Sequence, residues 1–104
     1  MRIVALTGCA GGIAHTYMAA EGIKKSAKNA GDTVQIEIQG SLGIENPLSP
    51  EDIQNADLVI FAANINIEGK SRFEGMNPIL IEPGEFVADA DKALMKVKKI
   101  AGLI

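Results

Sequence analysis

The chain has 104 residues, of which 47% are hydrophobic and 22% are charged, and its formal net charge is −3. This length and composition fit one globular domain, and the acidic balance argues against nucleic acid as a partner. A single cysteine excludes an internal disulfide and a multi-cysteine zinc site, and no apolar run approaches the ~20 residues of a membrane span. Because the first apolar run is too short for a signal peptide, we expect a cytoplasmic protein without direct membrane insertion.

The first predicted unit is a strand, a glycine-rich turn and a helix. Residues 2–7 form a near-continuous apolar run, which is typical of a strand buried on both faces. The turn spans residues 8–12. Apolar residues then recur at helical spacing, and Gly31 is expected to end that helix. The residues of this apolar face are Ile13, Tyr17, Ala20, Ile23, Ala27 and Ala30.

The remaining elements alternate between strands and helices. Residues 33–39 alternate as a half-exposed strand at the sheet edge, and residues 40–48 are predicted as a loop. Ser49 and Pro50 predict the start of a short helix, as N-cap and first helical residue. Strands follow at 57–63 and 78–81, separated by a loop with room for one helical turn. A single amphipathic helix is predicted to close the chain, with its apolar face formed by Phe86, Val87, Ala90, Leu94, Val97 and Ala101.

This order predicts the α/β class, as a three-layer α/β/α, Rossmann-like domain with a four-stranded parallel sheet. Right-handed crossovers and the edge-like second strand favour the strand order 2-1-3-4. The chain would then reverse direction across the sheet between strands 1 and 3. Ligands bind beyond the carboxyl ends of the strands at such a point, which is where Cys9 follows strand 1.

Cys9 is the main candidate for chemistry. The alternative is a small buried apolar side chain, the usual fate of a lone cysteine. However, the backbone N–H groups of residues 10–15 and the helix start would favour a thiolate and hold a phosphoryl group. The turn has neither the dinucleotide nor the Walker glycine spacing.

A thiol phosphatase would place an arginine six residues after its cysteine, where this chain has His15. Without that bidentate clamp, a phosphatase would lose much of its transition-state stabilisation. The pattern therefore favours a phosphoryl carrier. A low-molecular-weight-phosphatase-like or arsenate-reductase-like thiol enzyme and a non-catalytic anion-binding module remain open alternatives.

Other residues are predicted to surround Cys9. We expect the phosphate-binding segment to consist of Ala10, Gly11, Gly12, Ile13, Ala14, His15 and Thr16. His15 could equally make an ordinary hydrogen bond at the helix start, and Thr16 could simply pack. The possible pocket rim comprises Gln39, Gly40, Ser41, Asn64 and Arg72, for which turns or a solvated loop are the alternative interpretation. With one histidine and one cysteine, no metal site is expected.

The segment from Cys9 to Glu21 closely resembles the signature of the fructose- and mannitol-type enzyme IIB domains of the bacterial sugar phosphotransferase system. That signature reads Cys-Pro-x-Gly-Ile-Ala-His-Thr-(Phe/Tyr)-Met-Ala-Ala-Glu. Further matches include Glu37-x-Gln39-Gly40-Ser41-x-Gly43, Glu51-Asp52-Ile53 and Arg72-Phe73. This chain departs from the family at Ala10, which replaces a proline, and at Asn64, where an aspartate is common.

The resemblance implies a protein-phosphohistidine–sugar phosphotransferase that works through a phosphocysteine and needs no cofactor. Cys9 would accept phosphate from a phosphohistidine on the IIA component. It would pass the phosphate to a sugar, by family default fructose, that is bound by the membrane-embedded IIC component. Residues 1–104 would form a single IIB domain, associated with the inner face of the membrane through IIC. The family fold, a four-stranded parallel sheet with flanking helices, agrees with the pattern above.

Overall fold

The computed structural model describes residues 1–9, 13–40 and 43–104, with Ile13 described for its backbone only. Its sheet contains five strands in the order β3-β2-β1-β4-β5. The strands are β1 (Arg2–Gly8), β2 (Thr33–Gly40), β3 (Gly43–Glu45), β4 (Leu58–Ala63) and β5 (Ile79–Ile81). The helices are α1 (Ile13–Asn29), α2 (Pro50–Gln54), α3 (Pro83–Ala88) and α4 (Ala90–Ile100), and a 3₁₀ turn spans Lys70–Phe73.

The four parallel strands confirm the predicted order. β1 lies between β2 and β4 and pairs in parallel with both, and β4 pairs in parallel with β5. The chain therefore leaves β1 on one side to form β2 and later returns to the other side to form β4. This arrangement creates the predicted switch point beside the end of β1.

The fifth strand was not predicted, so the expectation of a four-stranded, all-parallel sheet is wrong in its strand count. β3 pairs antiparallel with the last three residues of β2, with Gly40 opposite Gly43, so the predicted edge strand is an inner strand at this end. β3 has three residues and an exposed Ile44, so it carries no alternating pattern. It forms because it pairs with the otherwise open edge of β2. The Tyr17 hydroxyl also donates a hydrogen bond to the Glu45 carboxylate, which links α1 to β3.

Two apolar layers enclose the sheet. α1, α3 and α4 pack on one face, where Ile23, Phe86 and Val97 meet Ile3 and Ile60. α2 and the 3₁₀ turn cover the other face. The two apolar faces of β1 explain its continuous hydrophobic run, because alternate side chains enter opposite layers. The predicted α/β/α layering is confirmed.

Capping residues set the end of α1 and the start of α2. Gly31 has φ +78° and ends α1, and the N–H of Asp32 donates to the Ala27 carbonyl as in a Schellman motif. Ser49 caps α2 by accepting from the Asp52 N–H, and Pro50 is its first residue, as predicted.

The prediction of one closing helix is wrong, because Asp89 divides it. Asp89 has an extended backbone (φ −156°, ψ 93°), and its N–H donates to the Glu85 carbonyl at the end of α3. Its carboxylate then accepts from the Lys92 N–H at the start of α4. Aspartate is a favoured N-cap, so the same residue ends one helix and begins the next.

Candidate functional site

Cys9 lies at the carboxyl end of the central strand β1 and is half-buried. The loop after β4 approaches it, since the Asn64 N–H donates to the Gly8 carbonyl over 3.1 Å. α1 begins four residues after Cys9, so the N–H groups of its first turn lie at the same end of the sheet. A half-buried thiol at a helix start combines solvent access with a positive local potential.

The imidazole of His15 contacts the thiol of Cys9. The distance between Cys9 Sγ and His15 Nδ1 is 3.7 Å, within hydrogen-bonding range for sulfur. The other edge of the ring faces α3, because a methyl group at Gly84 would lie 3.5 Å from His15 Cε1 and 3.8 Å from Nε2. His15 therefore lies between the thiol and α3, with Nδ1 towards sulfur. The nitrogen can accept a proton from a thiol or donate one to a thiolate.

The other predicted phosphate-binding residues are placed as follows. Thr16 is buried and Ala14 is exposed, both in the first turn of α1, which Ile13 opens. The predictions for Ala10, Gly11, Gly12 and Ser41 lie outside the described residues. Thr7, two residues before Cys9, is fully buried, and its hydroxyl has no hydrogen-bond partner among the described residues.

The residues predicted as a pocket rim divide into two groups. Gly40 ends β2 and is exposed, and Asn64 follows β4 and donates to Glu82 over 3.4 Å. Gln39 and Arg72 instead direct their side chains to Glu37, on the α2 side of β2. Glu37 was not predicted to matter individually. The sequence feature that could have identified Glu37 is its position in the matched Glu37-x-Gln39-Gly40-Ser41 segment.

Arg72 forms a bidentate ion pair with Glu37, with N–O distances of 2.7 and 2.9 Å. Burial acts to raise the pKa of Glu37, but hydrogen bonds from Arg72, Gln39 and the Leu48 N–H outweigh it and hold that pKa below its usual value. The carboxylate in turn raises the pKa of Arg72. The other arginine, Arg2, starts β1 at the opposite end of the sheet. Neither arginine is therefore placed as a phosphatase clamp beside Cys9.

The described ranges bring together no group of three His, Cys, Asp or Glu side chains suited to a metal ion. Within those ranges, no helix combines the length and the apolar character needed to cross a bilayer.

Comparisons with known proteins identify the family. Residues 4–98 match the family model described as the PTS system, Lactose/Cellobiose specific IIB subunit. The "PTS system fructose-like EIIB component 2" of Escherichia coli is 41% identical over 93% of this chain and 92% of its own length. The "PTS system fructose-specific EIIB'BC component" of Rhodobacter capsulatus is 45% identical over 90% of this chain, which corresponds to 16% of that longer protein.

A solved structure agrees with these sequence matches. The "Crystal Structure of Predicted Fructose Specific IIB from Escherichia Coli" superposes with a TM-score of 0.86 at 37% identity, covering 96% of this chain and 88% of that one. The family resemblance read from the Cys9 segment is thus confirmed over nearly the whole chain. This chain belongs to the IIB subunit family of the sugar phosphotransferase system, whose members carry phosphoryl groups in sugar uptake.

Proposed function

We propose that Cys9 is the residue that carries the phosphoryl group. The observation that supports this most strongly is the pairing of Cys9 Sγ with His15 Nδ1 at 3.7 Å, at the end of the central strand. A thiolate is the nucleophilic form of cysteine, and Cys9 lies beside both an imidazole and the start of a helix.

The proposed reaction has two transfer steps. In the first, His15 Nδ1 takes the proton of the Cys9 thiol, and the sulfur attacks the phosphorus of a phosphohistidine on IIA. An S–P bond forms and the P–N bond breaks. The imidazole of IIA leaves with the electron pair of that bond and takes up a proton. In the second, a sugar hydroxyl attacks the same phosphorus, the S–P bond breaks and the thiolate returns. The hydroxyl proton goes to solvent or to a base of the sugar-binding component.

The first turn of α1 would stabilise the phosphoryl oxygens in both steps. Backbone N–H groups at a helix start bind phosphate without an arginine, and phosphoryl transfer depends mainly on positioning and electrostatic stabilisation. With Arg72 bonded to Glu37, the site suits a group that is held and passed on rather than rapidly hydrolysed. The phosphate-binding roles of residues 10–16, including His15 and Thr16, belong to this proposal.

The partners follow from the relatives. Relatives carry the IIB unit joined to a C unit in one chain, as the name EIIB'BC states, which supports a IIC component as the sugar-binding partner. We infer that IIA supplies the phosphate, that the sugar is fructose or a close relative of it, and that residues 1–104 act as one IIB domain. On this proposal the domain works at the cytoplasmic face of the membrane without inserting into it.

Transfer of labelled phosphate from phosphoenolpyruvate, through the general phosphotransfer proteins and a fructose-type IIA, tests the proposal. The wild-type protein is expected to take up one label per chain, and Cys9→Ser is expected to take up none by the same route. Met18→Leu, an exposed change on α1 that keeps the thiol, is the matched control for folding. Full labelling of Cys9→Ser would overturn the assignment, and rapid hydrolysis of p-nitrophenyl phosphate by the wild type would instead favour the phosphatase-like alternative.

A further inference from the structure

A buried polar network lies on the α2 side of β2. We call Glu37, Gln39 and Arg72 the Glu37 network. The Glu37 side chain is 0% exposed, and Arg72 pairs with both of its carboxylate oxygens. Gln39 Nε2 donates to Glu37 Oε2 over 2.7 Å. A carboxylate in the middle of a strand is thus completely removed from water and fully hydrogen-bonded.

The Glu37 network connects two loops to β2. The Leu48 N–H donates to Glu37 Oε1 over 2.8 Å, and Arg72 donates to the Leu48 carbonyl over 3.0 Å. On the other side, Gln39 bonds the backbone of Glu68 twice, donating to its carbonyl and accepting from its N–H, each at 2.9 Å. These loops are therefore held by side chains of β2 and the 3₁₀ turn rather than by a strand ladder.

The loop that Gln39 holds reaches the residue before Cys9. A methyl group at Gly8 would lie only 2.8 Å from Ile65 Cδ1 and 3.0 Å from the Gln39 carbonyl oxygen. Ile65 therefore packs directly against Gly8. The Asn64 N–H also donates to the Gly8 carbonyl. A shift of the 64–68 segment would move the end of β1, and Cys9 with it.

Stabilisation of the fold does not by itself explain this network. A buried ion pair loses most of its Coulombic gain to desolvation, and apolar residues of similar volume often stabilise a fold as well or better. The network does fix the relative positions of its residues. The bidentate pair of Arg72 with Glu37, and the Gln39 amide with its two bonds to Glu68, each form in a single geometry.

We propose that the Glu37 network is a positioning device for Cys9. It acts through the path from Gln39 to the Glu68 backbone, Ile65 and Gly8. The proposal rests on the assignment of Cys9 as the phosphate carrier. Gln39 and Arg72 are thereby positioning residues that touch neither phosphate nor thiol, in place of the pocket rim first predicted for them.

The test uses two variants at different points of the path, with single-turnover transfer from phosphorylated IIA as the readout. Gln39→Met removes the two Gln39–Glu68 bonds and the Gln39–Glu37 bond but leaves the one from Arg72 to the Glu68 carbonyl, and Ile65→Ala removes the side chain on Gly8. Each is expected to lower the maximal transfer rate about tenfold with an unchanged half-saturating IIA concentration, because misplacement of a reacting group slows the chemical step. Ile65→Val, which loses Cδ1 but keeps the Cγ1 contact with Gly8, is expected to transfer at a rate between those of Ile65→Ala and the wild type.

Because the two changes lie on one path, the double variant is expected to lose little more than either single variant. Glu85→Gln, which removes the exposed ion pair with Lys96, is the matched control and is expected to transfer at the wild-type rate. If Gln39→Met does not fold, the transfer rate of Ile65→Ala tests the positioning role by itself, because that change leaves the hydrogen bonds of the Glu37 network intact.

Wild-type rates in folded Gln39→Met and Ile65→Ala would overturn the positioning role. A merely structural role would lower the melting temperature of these variants without changing transfer by the folded protein. Failure of the wild-type protein to accept phosphate on Cys9 would instead overturn the proposed function, so the two failures are distinguishable.

Discussion

At the scale of single residues, the contact between Cys9 and His15 predicts a distinctive pattern of substitutions. Asparagine places an amide group near the position of Nδ1, whereas glutamine places one near Nε2. Because Nδ1 faces the thiol, His15→Asn should retain more transfer than His15→Gln or His15→Ala. We expect the latter two to lose about 100-fold in the rate of phosphate transfer, a typical contribution of a proton-exchanging side chain. Equal rates for the three variants in rapid-quench measurements would contradict a role for Nδ1.

Glu37 predicts how stability depends on pH. The pKa of Glu37 in the folded protein lies below its ordinary value of 4.5. The contribution of Glu37 to the free energy of unfolding is therefore fully present above pH 4.5 and is lost as the pH falls through the folded pKa. Glu37→Gln should therefore cost about 3 kcal/mol of unfolding free energy at pH 7, as for a broken buried pair. The difference from wild type should shrink below pH 4.5.

Urea unfolding from pH 7 to pH 3 measures this difference. Glu85→Gln is the control, because its partner Lys96 is exposed and a surface pair contributes only about 0–1 kcal/mol. A wild-type advantage over Glu37→Gln that stays constant down to pH 3 would show that the charge of Glu37 is not the stabilising feature.

The site could be predicted from the sequence only in part. The position of Cys9 at the end of the central strand followed from the apolar run before it and the helical pattern after it. The approach of His15 Nδ1 to sulfur depends on how α1 is placed relative to the end of β1, which spacing does not specify. The bonding of Arg72 to Glu37 is a contact between residues 35 positions apart. An alternating strand gave no sign that Glu37 faces a buried layer, because the same alternation also describes a solvated face.

At the scale of elements, α1 and α3 approach so closely that Gly22 is required between them. A methyl group at Gly22 would lie 2.5 Å from the Phe86 carbonyl oxygen. Although alanine is the better helix former by about 1 kcal/mol, Gly22→Ala should destabilise the protein by about 2 kcal/mol, because the two helices must separate. Chemical denaturation measures this change.

Gly40→Ala is the matched control, since none of the described residues beyond its chain neighbours has an atom within 4 Å of a methyl group there and the backbone is an ordinary strand. Its effect on the unfolding free energy should stay within about 0.5 kcal/mol. A stabilised Gly22→Ala protein would mean that helix propensity outweighs the contact with Phe86.

Elements with a strong local pattern were predicted, and those formed by tertiary contacts were not. The four parallel strands and α1 follow from hydrophobic periodicity and from the C-terminal Gly31. β3 is too short for a period and exists because β2 offers a partner. The division between α3 and α4 falls at Asp89 without breaking the apolar spacing of the segment, so periodicity predicted one helix. The N-capping side chain of Asp89 was the available signal.

At the scale of the whole molecule, the proposed function requires one thiol at one end of the sheet to serve both the phosphate donor and the phosphate acceptor. Because IIA and IIC would both have to reach Cys9, they cannot do so at the same time. Unphosphorylated IIA should therefore inhibit sugar phosphorylation by the pre-phosphorylated protein in vesicles that contain IIC. This inhibition is expected to disappear at high IIC concentration. The histidine-containing general carrier protein, added in place of IIA as the control, is expected not to inhibit. Inhibition that no IIC concentration relieves would argue for separate binding surfaces.

The central claim is that this IIB chain carries its phosphoryl group on Cys9. The most direct measurement combines fragment mass spectrometry with phosphorus NMR on protein that has been phosphorylated by IIA and kept at neutral pH. The account predicts one phosphoryl group per chain, located on the fragment that contains Cys9, with the chemical shift of an S–P bond. A phosphoryl group on His15 nitrogen, or a chain that stays unmodified beside fully phosphorylated IIA, would contradict it.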